Sequence, residues 1–323
     1  MITRRLLLPA IPLALAAPAL VAHAAPDDFG AFLAGVRAEA RRSGVSAPTL
    51  DRALADVRPN QKVLDKISHP AEFTMTWAEY RAMLVTDQRI ENGREAYRRN
   101  AALFRAVEAR YGVSSRIVLG IWGLESSYGT KTGDYRVVEA LATLAWDSKR
   151  RPFFRSELMA ALRILDHGDI VPGRMTGSYA GAMGQPQFMP TSFLRFAVDF
   201  QGDGRRDIWT STPDVLASIA NYLARNGWTR GETWGMQVVV PPGIDPALTG
   251  RDNRRSLAAW RSLGVRALDG TALAGEREAA LVLPDGAGGE GFLVFPNFNA
   301  IRRYNPSDFY ALVVGLIGDD VLA

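Results

Sequence analysis

For most of its length the chain alternates apolar and polar residues with the period of a helix. "FGAFLAGVRAEARRSG" sets Phe29, Phe32, Leu33 and Val36 three and four apart and stops at Gly44, which predicts a helix closed by a glycine. "PTLDRAL" and one long run, "AEYRAMLVTDQRIENGREAYRRNAALFRAVEARYG", continue in the same style. The long run carries Arg and Glu at helical spacing, the pattern of a solvated face with side-chain pairs, and is assigned no chemistry.

The middle of the chain is denser. "SSRIVLGIWGLESSYG" predicts a helix capped by Ser114 or Ser115 and closed near Gly129. "VVEALATLAWDS" and "RRPFFRSELMAALRILDHG" predict two more, the second opened by Pro152 and closed by Gly168. "GSYAGAMGQPQFMPTSFLRFAVDF" starts with small residues that let the backbone approach something closely, then enters a helix at Thr191. "STPDVLASIANYLARNGW" has Pro213 at its start and Gly227 at its end. Past Trp234 the period changes: "WGMQVVVPPG", "EAALVLPDG" and "GFLVFPNF" are short β-type runs cut by Pro and Gly. "PSDFYALVVGLIGDDV" returns to a helix. The expected organisation is mainly α: a helical region over 25–111, a dense core over 112–234, a small β-rich element over 235–297 and a helix over 298–323.

Composition adds a compartment. Residues 1–24 pair Arg4 and Arg5 with an apolar run and Ala22-His23-Ala24, the form of a secretory signal and its cleavage site. The run holds Pro9, Pro12 and Pro18 and is short for a membrane span, and no later segment reaches transmembrane length. There is no cysteine, hence neither a disulfide framework nor lipid attachment through one. The expectation is a soluble periplasmic protein. With 47% hydrophobic and 22% charged residues it has material for one large or two smaller cores. The formal charge of +4 falls to +2 when Arg4 and Arg5 leave, so nothing marks a nucleic-acid partner.

Glu125 stands out against this background. On a helix it shares a face with Val118, Ile121, Trp122 and Tyr128. Two readings are open: an ordinary ion pair with an arginine, or a carboxyl group whose apolar setting keeps it protonated near neutral pH, as a general acid for a glycosidic oxygen requires. The stretch "GSYAGAMGQPQFMPTS" offers Ser178, Tyr179, Gln185 and Gln187 among glycines, a set that suits sugar hydroxyls and equally a tight loop. "DFQGDGRRDIW" has the beginning of a calcium loop in Asp199, Gln201, Asp203 and Gly204, but its twelfth position is Thr210, and Asp214 is the nearest later carboxylate. His69 and His167 lack partners at ligand spacing, and no phosphate-binding loop or nucleophile elbow is present.

Three pieces in order, "GLESSYG", "GAMGQPQFMPTSF" with "AVDFQGDGRRDIW", and "NFNAIRRYN", resemble the B-type membrane-bound lytic murein transglycosylases, a glycoside hydrolase family that cleaves peptidoglycan strands in Gram-negative bacteria. The resemblance runs from about residue 28 onward. It implies a lysozyme-like helical core with an added helical region and a small β element, and one catalytic glutamate, Glu125. It implies cleavage between N-acetylmuramic acid and N-acetylglucosamine with a 1,6-anhydromuramyl end, through attack by the muramyl 6-hydroxyl rather than water. It assigns the substrate to Ser178, Gln187, Arg150, Arg151, Tyr222, Tyr304 and Tyr310, and a structural Ca2+ or Na+ to Asp199, Gln201, Asp203 and Asp214, with no cofactor required for catalysis. The expected partners are glycan strands and other wall enzymes, with the protein itself a monomer. Two departures are plain: the lipid-attachment cysteine is missing, and Pro186 stands between Gln185 and Gln187. A hydrolytic muramidase and a non-catalytic wall-binding protein are the alternatives.

Overall fold

The computed structural model describes residues 28–68 and 75–323. The leader expected over 1–24 and His69 lie outside them. The amino-terminal helices are α1 (Phe29–Arg42), α2 (Ala47–Leu54), α3 (Gln61–Ser68), α4 (Trp77–Leu84) and α5 (Asp87–Tyr111). The single long run expected after residue 77 is therefore two helices. Thr86 is extended and its side chain accepts from Arg89 N, starting α5 afresh. The arginines and glutamates of α5 do form exposed pairs, among them Glu91 with Arg98 and Glu95 with Arg98.

The middle holds α6 (Ser115–Ser126), α7 (Val137–Trp146), α8 (Arg151–His167), α9 (Pro190–Phe196) and α10 (Thr212–Arg225). A two-stranded ribbon, β1 (Tyr135–Arg136) with β2 (Thr176–Gly177), ties the start of α7 to the glycine-rich loop. Beyond residue 234 lie β3 (Gly235–Val239), β4 (Arg254–Ser256), α11 (Leu257–Ser262), β5 (Arg266–Ala267), β6 (Glu278–Val282) and β7 (Gly291–Val294), then α12 (Pro296–Tyr304) and α13 (Asp308–Val321). The five strands form one antiparallel sheet in the order β4-β6-β7-β3-β5. The stretch expected as one closing helix is two, because Pro306 and the Ser307 cap start α13 separately.

The main hydrophobic core surrounds α6, with nine of that helix's twelve residues buried. A smaller cluster around Trp260, Leu281 and Leu293 lies in the sheet. What decides the geometry of the centre is how closely α13 approaches α6. A Cβ on Gly120 would lie 2.2 Å from the Val314 carbonyl oxygen, and one on Gly318 2.3 Å from that of Arg116. Only glycine allows two helices to approach backbone to backbone in this way.

Candidate active site

Glu125 sits in the last turn of α6. Ser114 caps this helix by accepting from Arg116 N. The chain leaves it through Ser127 (φ 48), Tyr128 (φ 58) and Gly129 (φ 87), three left-handed residues in a row. This turn corrects one expectation: Tyr128 does not lie on the Glu125 face. It folds back over Gly123, where a Cβ would meet its ring at 2.6 Å, packs edge-on against Trp122 at 5.7 Å and donates to Arg89 O at 3.1 Å. Burial, opposed by the Arg89 charge, pushes its phenol up.

Glu125 itself is partly buried, and among the described residues no ion pair joins it to an arginine. Oε1 accepts from the Tyr310 hydroxyl at 2.6 Å. Burial raises its pKa from 4.5 to about 7, and the Tyr310 hydrogen bond works the other way. Three phenols answer to its charge. Tyr310 and Tyr304 are pushed well up, first by burial and then by Glu125, and Tyr80 of α4 is raised in the same order. Among the described residues no ion pair joins Glu125 to an arginine, and burial shifts the group toward its protonated form.

Two of the expected tyrosines, Tyr222 and Tyr304, form one aromatic wall with Phe188 and Phe196. Tyr304 lies 4.7 Å from Tyr222 and 5.7 Å from Phe188, and its hydroxyl donates to Pro186 O at 2.7 Å. Tyr222 donates to Arg303 O and packs on Phe196 at 4.6 Å. Pro186 thus holds this wall through its carbonyl, the one polar main-chain group a proline keeps.

The glycine-rich loop is folded by its own bridges, Gly177 with Met183 and Met183 with Phe188. Ser178 Oγ accepts from Ala182 N at 3.1 Å, which leaves its O–H to donate. Gln187 is left-handed (φ 51), and its Nε2 donates to Thr132 O at 3.0 Å and Gly184 O at 2.7 Å, so its Oε1 is the atom to face a ligand. Gln185 has another task. It is buried, accepts from Trp122 Nε1 at 2.8 Å and donates to Trp209 O at 2.9 Å, pinning the loop to α6.

Arg150 and Arg151 stand apart from this cluster. Arg150 lies over the Phe153 ring at 4.1 Å and Arg151 reaches Asp147 at 3.4 Å, both at the start of α8. Among the described residues no hydrogen bond, ion pair or ring contact joins them to Glu125.

The expected metal ligands lie in one short loop, where the charges of Asp199 and Asp203 both act on Asp214. Asp199 accepts from the N–H groups of Gly202 at 2.6 Å, Asp203 at 3.2 Å and Gly204 at 2.8 Å, and the Gly204 bond leads in lowering its pKa. Asp214, 2% exposed, accepts from Phe200 N and Asp207 N, with its pKa raised chiefly by burial. Asp203 accepts from Arg205 N and Gln201 Oε1 from the Ser211 hydroxyl. Their hard oxygens suit calcium or sodium. Yet among the described residues no three His, Cys, Asp or Glu side chains gather as a ligand set.

With this geometry in view, the comparison with known proteins is direct. Residues 28–319 match the transglycosylase SLT domain family. The chain belongs to that family. Membrane-bound lytic murein transglycosylase B of Escherichia coli K12 is 34% identical over 279 residues, 85% of this chain and 75% of that protein. SltB3 of Pseudomonas aeruginosa, solved with NAG-anhNAM-pentapeptide, superposes with a TM-score of 0.88 at 41% identity, covering 92% of this chain and 80% of that one. The Escherichia coli lytic transglycosylase Slt35, solved with calcium, gives a TM-score of 0.76 at 28% identity over 92% of this chain and 93% of that one. The SLT-domain chain is a lytic transglycosylase with the lysozyme-like, mainly α architecture of these relatives. Among its described residues no helix is long and apolar enough to cross a membrane.

Tyr80 is the site residue that sequence reasoning missed. It lies in an ordinary amphipathic segment, and only the packing of α4 on α13 brings it to Glu125.

Proposed function

We propose that the protein cleaves the β-1,4 bond between N-acetylmuramic acid and N-acetylglucosamine in peptidoglycan and leaves a 1,6-anhydromuramyl end, with Glu125 as the only acid and base. The observation that carries this reading is the setting of Glu125: burial and one phenol account for its acidity, and among the described residues no neighbouring carboxylate contributes. A two-carboxylate glycosidase needs a second acidic group across the bond.

In the first step the protonated Glu125 gives its proton to the glycosidic oxygen as the bond to the muramyl anomeric carbon breaks. The resulting carboxylate then takes the proton of the muramyl 6-hydroxyl, whose oxygen bonds to that carbon. The glutamic acid is regenerated, and no water is consumed. Holding the 6-hydroxyl near the carbon gives an intramolecular nucleophile the advantage over bulk water. Tyr310 orients the carboxyl group and relieves the cost of its charge between the steps. Ser178 and Gln187 Oε1 offer a donor and an acceptor to sugar hydroxyl and acetamido groups, and the Tyr222 and Tyr304 wall offers ring faces to the apolar faces of the sugars. Arg150 and Arg151 are assigned to the acidic groups of the stem peptide at a distance from the cut. That SltB3 was solved with an anhydromuramyl peptide supports the product assignment.

Both proton transfers run through one carboxyl group, so no cofactor is needed. An ion in the 199–214 loop would be held by the remaining lone pairs of Asp199, Asp203 and Asp214 with Gln201, and would serve the loop's shape alone. We further place the protein in the periplasm as a monomer, exported through residues 1–24 and working on glycan strands beside other wall enzymes. The test is mass analysis of fragments released from purified sacculi. Anhydromuropeptides, lighter by one water than hydrolysed ones, are expected, and Glu125→Gln should release them at least about a hundredfold more slowly. Reducing muramyl ends would instead identify a muramidase, and binding without release a wall-binding protein.

A further inference from the structure

The β6–β7 turn, "LPDGAGGE" over residues 283–290, crosses to the first turn of α4. The Asp285 carboxylate accepts from Trp77 N at 2.7 Å and from Ala78 N at 3.2 Å. Thr76 and Glu79 cap each other: the Thr76 hydroxyl accepts from Glu79 N at 3.3 Å, and the Glu79 carboxylate accepts from Thr76 N at 2.9 Å. All four N–H groups that a helix leaves without internal partners are satisfied, two of them by a strand-turn residue more than 200 positions away. Glu290, at the other end of the turn, accepts from the Trp77 indole at 2.6 Å and from Gln237 Nε2 at 3.1 Å, and pairs with Arg81. Trp77 is buried edge-on between Phe292 of β7 and Phe309 of α13, each at 5.5 Å.

Eight residues are too few to fix a helix by themselves, so the placing of α4 depends on these contacts. One turn after Trp77 comes Tyr80, whose ring lies 5.6 Å from that of Phe309, the neighbour of Tyr310. The turn of the sheet therefore reaches the acid through a short chain of packed groups: Asp285 and Glu290, Trp77, Tyr80 with Phe309, then Tyr310 and Glu125.

We propose that Asp285 and Glu290 are positioning residues for the active site, holding Tyr80 against Phe309 so that Glu125 stays out of water. This rests on the reading of Glu125 as the working acid. The groups facing Glu125 are Tyr80, Tyr304 and Tyr310, with Arg89 beside Tyr80, while Asp320 is the further charge facing Arg81. When the clamp is released, α4 moves, water reaches the carboxyl group, and its proton is held less tightly.

The test uses Glu290→Gln and Asp285→Asn, which keep size and remove charge, in the full chain. Hydrogen exchange reads the hold on α4 through the Trp77 and Ala78 amides, and the 13C shift of the Glu125 carboxyl, assigned with Glu125→Gln, reads its titration without any substrate. Expected are exchange about tenfold faster at those amides, a Glu125 midpoint moved to lower pH by a threefold to tenfold loss of proton affinity, and kcat falling more than KM rises. A Glu125 midpoint equal to that of wild type in variants whose α4 amides exchange faster overturns the proposal, as does unchanged exchange. In the cycle with Tyr80→Phe, effects on kcat that add independently also overturn it. Should wild type release no glycan fragments, the functional reading fails, while the titration still decides whether the clamp sets the acidity of Glu125.

Discussion

Replacing Glu125 by Gln separates the price in stability of an acid kept protonated from its use. The side chain keeps its shape and Oε1 can still accept from Tyr310. In wild type the proton is held from the ordinary 4.5 up to about 7. At 1.36 kcal/mol for each tenfold change in proton affinity, that interval corresponds to about 3 kcal/mol. The sign follows from proton binding. Between 4.5 and 7 the unfolded chain has released this proton and the folded one has not, so stability falls as pH rises, and the loss is complete above 7. Below 4.5 the favourable neutral form is present in both states. The variant has no such titration and all other groups cancel in the comparison, so it should match wild type near pH 4 and exceed it by about 3 kcal/mol at pH 8.5. With an unfolding entropy of about 2.1 cal/mol/K per residue over some 300 residues, this is about 5 °C in Tm. Activity should fall by roughly 10²–10⁴-fold, the usual worth of a general acid. Scanning calorimetry of both proteins from pH 4 to 8.5, with fragment release measured alongside, is the assay. A Tm difference that stays constant with pH would refute the argument that burial holds the proton.

Further outcomes follow from other contacts. Tyr310→Phe removes the hydrogen bond that favours the Glu125 carboxylate, so the alkaline limb of kcat should move above its wild-type position near pH 7 and kcat should drop about tenfold, as a pH–rate profile would reveal. In wild type that limb should show activity declining as pH rises past about 7, because the protonated fraction is lost. Gly120→Ala sets a Cβ against the Val314 carbonyl at 2.2 Å and should cost about 3 kcal/mol by forcing α13 away, read as a lower denaturation midpoint with kcat reduced in the surviving folded protein. Treatment with EDTA should leave the initial rate unchanged. A rate lost on chelation and restored by calcium would show that the 199–214 loop takes part after all.

The residues most legible in the sequence were those whose environment is local. The helix carrying Glu125 is announced by its cap and its apolar period, and an acid inside that period is visible as an exception, although the helix closes at a left-handed Ser127 rather than at Gly129. Short β runs cut by Pro and Gly also announce β3, β6 and β7. What escaped was set by distance or by backbone sign. Tyr128 keeps helical spacing on paper, but a left-handed Ser127 turns it onto Gly123. Gln185 and Gln187 are the same residue type two positions apart, and only burial between Trp122 and Trp209 gives one a structural duty and leaves the other a ligand-facing atom. Tyr80 had no local mark at all, since its place is fixed by Asp285 and Glu290 from another part of the chain.

The hydrogen bond between Tyr310 and Glu125 spans 185 positions, and it bears on when the enzyme becomes dangerous to its maker. A chain that emerges from its amino-terminal side presents α6 long before α13 exists, and contacts so far apart in sequence form late. Until α13 docks through Gly120 and Gly318, Glu125 has no phenol to orient it and too much water around it to keep a proton. On the proposed reading of Glu125, the acid is complete only in a chain whose α13 has already docked on α6.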